Sequence, residues 1–232
     1  MADNSGERHS KAHAPVLVTD PDELASLEAR NGLQQFDITR ALIDEYINTE
    51  RPFKLRLSML LQLQRSALEG ISGFAGNFRP AGVEIEGSRH QPVDAHLVPE
   101  YVEYMCDYVN DNWSASTPIH LAAYVMWRLN WIHPFDDGNG RTSRALSYLV
   151  LCIRTGMQLP GLKTIPEQIA SNKKPYYDAL EAADENYKNN ETINLGELET
   201  YLEGLLAKQL VDVYNSARGE KETEGVVSPK FH

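Results

Sequence analysis

Two apolar stripes at helical spacing flank a twelve-residue stretch of different character, and this pattern constrains the chain more than any other. Leu121, Val125, Leu129 and Ile132 keep the three- and four-residue spacing of one helix face, as do Leu146, Leu149, Val150 and Ile153. Between them residues 133–144 read HPFDDGNGRTSR. Leu57, Leu60, Leu61 and Leu68 form a third stripe, and Leu195, Leu198, Leu202, Leu205, Leu206 and Leu210 a fourth. Thr117-Pro118 has the form of an N-cap followed by Pro at the first helical position. The expected fold class is all-α.

One segment departs from the helical pattern. Residues 78–86, FRPAGVEIE, carry Pro and Gly and then an alternating run, which predicts a small β-hairpin or extended flap bearing Val83, Glu84, Ile85 and Glu86. Residues 1–18 and 216–232 are polar and aperiodic and are read as flexible tails, leaving one domain over 19–215. At 232 residues the chain can bury a core that needs no disulfide or metal. Cys106 and Cys152 lie in apolar helical stretches, so buried thiols and a reducing compartment are expected.

A formal charge of −11 argues against nucleic acid or an anionic membrane as partner, because phosphate backbones need clustered Lys and Arg. No apolar run reaches the roughly 18–20 residues that would span a bilayer. The N-terminus, MADNSGERHSKAHAP, lacks the apolar middle of a secretory signal. A cytoplasmic location is the expectation, with export through a dedicated secretion machine left open.

The 133–144 segment assembles what handling a phosphate chain requires. Gly138, Asn139 and Gly140 fall where one helix has ended and the next begins near Arg141, so their backbone N–H groups and the helix dipole favour an anion. The glycines admit positive φ and close ligand approach. Arg141 and Arg144 share a helix face one turn on and suit bidentate contact with phosphate oxygens. Asp137 is positioned to hold Mg²⁺, which takes only one or two protein carboxylates when phosphates complete its shell. His133 can act as a general base near neutral pH. Phe135 is expected in the core, as are Trp127 and Trp131. His90, His96 and His120 are read as surface or packing residues, and Asp136 has no assigned role.

HPFDDGNGRTSR fits HxFx(D/E)GNGRxxR throughout, and on that match the chain resembles the Fic family. FAGNFRPAGVEIEG and PYYDAL, at residues 175–180, resemble the segments before and after the motif in that family, and the likeness covers about residues 20–213. The resemblance implies a compact helical Fic fold that transfers AMP from ATP to a Ser, Thr or Tyr hydroxyl of a target protein. It implies His133 as the base, Asp137 on Mg²⁺, and Gly138, Asn139 and Gly140 around the α- and β-phosphates. Arg141 and Arg144 would then meet the distal phosphates, the flap would dock the target, and Tyr176 or Tyr177 would line the adenine pocket. It also leaves open an inhibitory partner in trans and self-association.

Many Fic proteins carry an inhibitory (S/T)xxxE(G/N) helix, of which no strict match occurs here. RSALEG (65–70), LEARNG (27–32) and SARGEK (216–221) each fail at a required position. The expectation is that no inhibitor of that pattern blocks nucleotide in cis. Alternatives within the resemblance are phosphate transfer of the Doc type, which Gly140 disfavours, phosphocholine transfer, and AMP removal, which leans on the missing Glu. A non-catalytic nucleotide-binding interaction module is the alternative of a different class.

Overall fold

Asp20 opens the first helix by accepting the N–H groups of Asp22 at 3.0 Å and Glu23 at 2.9 Å, with Pro21 at the first helical position. The computed structural model describes residues 10–11, 17–49 and 51–219. Among them the chain runs through β1 (Ser10–Lys11), α1 (Pro21–Ile47), α2 (Leu57–Leu68), β2 (Glu84–Ile85), a 3₁₀ turn (Ala95–Leu97) and α3 (Val98–Asp111). There follow α4 (Pro118–Ile132), α5 (Asn139–Thr155), α6 (Ile165–Ser171), α7 (Lys174–Asn190) and α8 (Gly196–Ala217). The all-α reading holds.

The two stripes that bracket the motif form the centre. Leu121 to Leu129 of α4 are buried without a break, and Ala145 to Ile153 of α5 likewise, so this pair is enclosed by the rest, with Arg128 and Ser147 the polar side chains buried within it. Ser147 Oγ donates to the Ala122 carbonyl at 2.8 Å and ties the two helices together. α1 and α2 cover one flank of α5, α3 lies on α4, and α7 and α8 close the other side. Thr117 caps α4 as read from the sequence, accepting His120 N–H at 3.1 Å. Cys106 and Cys152 are both buried free thiols, with burial pushing their pKa values up to about 12 and about 11. No helix among the described residues is long and apolar enough to cross a membrane.

Buried polar side chains fix the register of α1 on α2. Asn31 Nδ2 donates to the Glu69 carbonyl at 2.8 Å and Gln35 Nε2 to that of Leu63 at 2.9 Å. Each leaves a costly orphan if removed, so α1 is held against α2 at a defined height. That height brings Glu28 to the motif.

The flap is not the expected hairpin. Within 78–86 only Glu84–Ile85 is a strand, and its antiparallel partner is β1, with Ser10 opposite Ile85 and Lys11 opposite Glu84. The arm that would have folded back on it is otherwise engaged: Arg79 N–H donates to the Pro134 carbonyl at 2.9 Å, and Phe78 packs on Phe135 with ring centroids 5.8 Å apart. Pro80 and Gly82 further deny that arm a ladder. Part of the stretch read as an N-terminal tail is thus a strand. The rest of residues 1–16 lies outside the described residues, as do 220–232, whereas α8 carries on to Ala217, past the expected tail boundary at 216.

Candidate active site

α4 ends on His133, which adopts φ 53° and ψ 58° while its N–H still bonds to the Leu129 carbonyl at 2.9 Å. Histidine tolerates this left-handed conformation better than most side chains, and it turns the backbone sharply out of the helix. The turn is held from outside by Arg79. Its Nε donates to the His133 carbonyl at 2.7 Å, its Nη1 to Ala81 at 2.8 Å and its Nη2 to the carbonyl of Val93. Arg79 is itself buried, and burial lowers its pKa from the usual guanidinium value, an effect Asp94 partly offsets.

The next residues form a braced loop. Asn139 Oδ1 accepts Phe135 N–H at 3.0 Å and its Nδ2 donates to the Phe135 carbonyl at 2.9 Å, so this side chain is spent on architecture. What Asn139 can offer a ligand is its main-chain N–H. Gln64, fully buried on α2, donates to the Asp137 carbonyl at 3.2 Å and accepts Gly76 N–H. Asp136 accepts Ser72 Oγ at 2.7 Å, a structural tie at a position given no role above. Gly138 sits at φ 79°, and a Cβ there would lie 2.5 Å from Leu68 Cδ2, so both conformation and space demand glycine.

α5 starts at Asn139, two residues earlier than read from the sequence. The N–H groups of its first turn therefore point out of the loop with no partner inside the helix, next to the positive end of the dipole. They open onto a cavity of about 540 Å³. Its lining includes His133, Asp137, Gly138, Asn139, Gly140, Arg141, Arg144, Tyr176 and Tyr177, the whole predicted motif set. Of the four flap residues Ile85 borders it, while Val83, Glu84 and Glu86 do not. Tyr176 is the back wall: it is buried, and its hydroxyl meets Asn130 Nδ2 at 2.7 Å and Ser143 Oγ at 3.3 Å. Tyr177 is half-buried on the same side.

Electrostatics divide the cavity. Burial drives the His133 pKa down to about 3, against a smaller opposing effect of the Asn130 carbonyl, so the ring is neutral at pH 7. Its Nδ1 lies 3.3 Å from that carbonyl, which selects the tautomer protonated on Nδ1 and makes Nε2 the basic atom. At the mouth Arg141 bridges two carboxylates, Asp137 Oδ2 at 3.0 Å and Glu28 Oε1 at 3.1 Å. Sequence reading found no strict inhibitory pattern in α1, yet a carboxylate from that helix does reach the first motif arginine.

Asp137 is half-exposed at the rim, and among the described residues no cluster of three or more His, Cys, Asp or Glu surrounds it. Its Oδ1 accepts Gly138 N–H and its Oδ2 pairs with Arg141, so it fits Mg²⁺ carried on phosphates, which needs few protein ligands, once Arg141 turns to the phosphates. Beyond the predicted set the cavity gathers Glu28, Ser88, His90, Trp127, Leu180 and Asp184. None has a sequence signature, because they come from four separate parts of the chain, with Ser88 and His90 sharing one loop and Leu180 and Asp184 sharing α7.

Comparisons with known proteins fit this geometry. Residues 54–151 match the Fic/DOC family. The chain is 32% identical over 164 residues to the protein adenylyltransferase Fic of Drosophila willistoni, covering 69% of this chain and 30% of that protein. It thus spans less than a third of the length of that curated relative. Among solved structures it resembles a Fic domain containing signaling protein from Bacteroides thetaiotaomicron (25% identity, TM-score 0.66, 86% of this chain and 76% of that one). It also resembles Fic-1 from Caenorhabditis elegans (21% identity, TM-score 0.67, 88% and 56%), a likeness of fold.

Proposed function

Residues 54–151 form a Fic/DOC family domain, and on that footing we propose that the protein transfers AMP from ATP to a side-chain hydroxyl of a target protein. The observation that carries the reading is the uncharged, buried imidazole of His133 sharing one cavity with the first turn of α5 and with Arg141 and Arg144.

The polyphosphate seats on the amides of Asn139 and Gly140, with the arginines taking oxygens as Arg141 leaves its carboxylate partners. The acceptor hydroxyl approaches His133 Nε2. Its oxygen forms an ester bond to the α-phosphorus while the bond from that phosphorus to the bridging oxygen breaks. Pyrophosphate leaves with the electron pair, and the hydroxyl proton passes to Nε2. A pKa of about 3 describes the ring without ligand; a bound polyphosphate raises it by favouring the charged form. Asp137 is the residue that would hold Mg²⁺, which would supply charge neutralisation when bound. The braced loop keeps the groups in place beforehand, which is where most of the rate in such transfers originates.

Target docking follows the strand mode. β2 takes an antiparallel partner in β1, and a target segment would use the same edge by displacing β1.

The test is incubation with Mg²⁺, α-labelled ATP and a cell lysate, beside the same reaction with γ-labelled ATP. The expected result is protein-bound label from the α-position only, reduced roughly 10²- to 10⁴-fold in His133→Ala. Label from the γ-position, or full activity without the imidazole, overturns the assignment.

A further inference from the structure

The C-terminal half of α8 turns an apolar stripe away from the core. This helix buries Leu198, Leu202 and Gln209, while Leu210, Val211 and Tyr214 stand 43%, 55% and 57% exposed. Ala207 is exposed with them, and a Cβ added at Gly204 would meet nothing within 4 Å. Residues 207, 210, 211 and 214 keep the three- and four-residue spacing of a helix-pairing seam, on the side opposite Gln209. Among the described residues ten large apolar side chains are exposed, and three of them fall between positions 210 and 214. No residue of α8 lines the cavity, so the site described above does not account for the stripe.

The residues along the stripe select what can cover it. Small residues, Gly204 and Ala207, stand at one end and a large one, Tyr214, at the other, with Glu203 and Arg218 just beyond them. Arg218 Nη1 donates to Tyr214 Oη at 2.7 Å, which holds the guanidinium on the seam side. A second α8 can lie antiparallel with Leu210 of each copy opposite Val211 of the other. Ala207 then faces Tyr214, Gly204 faces Ala217 and Glu203 faces Arg218, each pair formed twice because a two-fold contact is isologous. Large sits on small, and opposite charges meet at both ends. A parallel alignment would instead set Glu203 on Glu203 and Tyr214 on Tyr214, which charge and volume both disfavour. With four apolar side chains per copy over about 24 Å of helix, the contact is small beside the roughly 800 Å² per partner of a standard interface. The pairing is therefore weak and concentration-dependent.

We propose that the protein self-associates as a two-fold dimer through the exposed face of α8, antiparallel, with Glu203 of each copy on Arg218 of the other. The inference stands apart from the AMP-transfer reading. Because α8 contributes nothing to the cavity, monomer and dimer carry the same groups there.

Sedimentation equilibrium of the full chain, run up to about 0.5 mM because small interfaces are weak, tests the pairing. The wild type should rise from monomer to dimer mass and go no further, since a closed two-fold contact leaves no second edge. Val211→Glu, at a mostly exposed position, should stay monomeric with an unchanged melting temperature. Glu203→Arg alone and Arg218→Glu alone should each weaken the dimer roughly tenfold by setting like charges together. The double variant Glu203→Arg/Arg218→Glu should restore it, because the exchange rebuilds both pairs. A wild type that stays monomeric, a dimer that survives Val211→Glu, or a double variant no better than its singles overturns the α8 pairing. AMP transfer is untouched by each of these outcomes.

Discussion

Replacing Arg79 by Met tests whether the catalytic turn is held from outside the motif. Three side-chain hydrogen bonds from one guanidinium, to His133, Ala81 and Val93, are lost together. Bonds to charged groups contribute about 1.5–3 kcal/mol each, a gross loss of roughly 4.5–9 kcal/mol. The guanidinium no longer has to be desolvated, which returns part of this, and removal of a buried charged partner typically nets about 3–5 kcal/mol. The His133 carbonyl, deep beside the core, is the acceptor least able to find water.

Urea unfolding should show the loss as a lower midpoint at constant slope. In protein that is still folded, turnover should fall roughly 10²-fold, the effect of a misplacement near 1 Å at the reacting centre. Arg79→Lys keeps the charge but cannot span three carbonyls, and should lie between. A Met variant within about 0.5 kcal/mol of wild type, with normal turnover, would refute the argument.

Three further outcomes follow from the geometry. Gly138→Ala combines the left-handed backbone, about 1–2 kcal/mol, with the overlap on Leu68, about 1–3 kcal/mol; in a Leu68→Ala background only the backbone part should remain, and equal increments in both backgrounds would rule out the contact. Glu28→Gln releases one partner of Arg141 in a half-exposed pair worth about 0.2–1 kcal/mol, so nucleotide should bind up to roughly fivefold tighter at low salt and by less at high salt; an unchanged Kd at low salt would remove Glu28 as a competitor. Below pH 6.5 the unfolded chain protonates His133 while the fold resists until about pH 3, so this residue's stabilisation, complete above 6.5, is lost as pH falls through that window. The stability difference between wild type and His133→Asn should therefore shift by about 1.4 kcal/mol per pH unit there, and parallel pH curves would contradict the buried, neutral ring.

The helices around the motif were legible because Leu121 to Ile132 and Leu146 to Ile153 repeat at the period of the helix they form. His133, Asp137, the two glycines and both arginines were legible because they are adjacent, so a local turn alone brings them together. The hairpin was misread because alternation in Val83–Glu86 says that a strand can form and not what it pairs with. Arg79 took the arm that would have paired, and Ser10–Lys11 took the edge.

The chain order by itself therefore determined the helical class and the polar turn at the start of α5, since both depend on spacings of a few residues. Tertiary structure alone decided which distant groups share the cavity: Glu28 on Arg141, Arg79 behind His133, and His90 facing Asp184. Those contacts join residues 54 to 113 positions apart, and no short-range periodicity encodes a separation set by how helices stack.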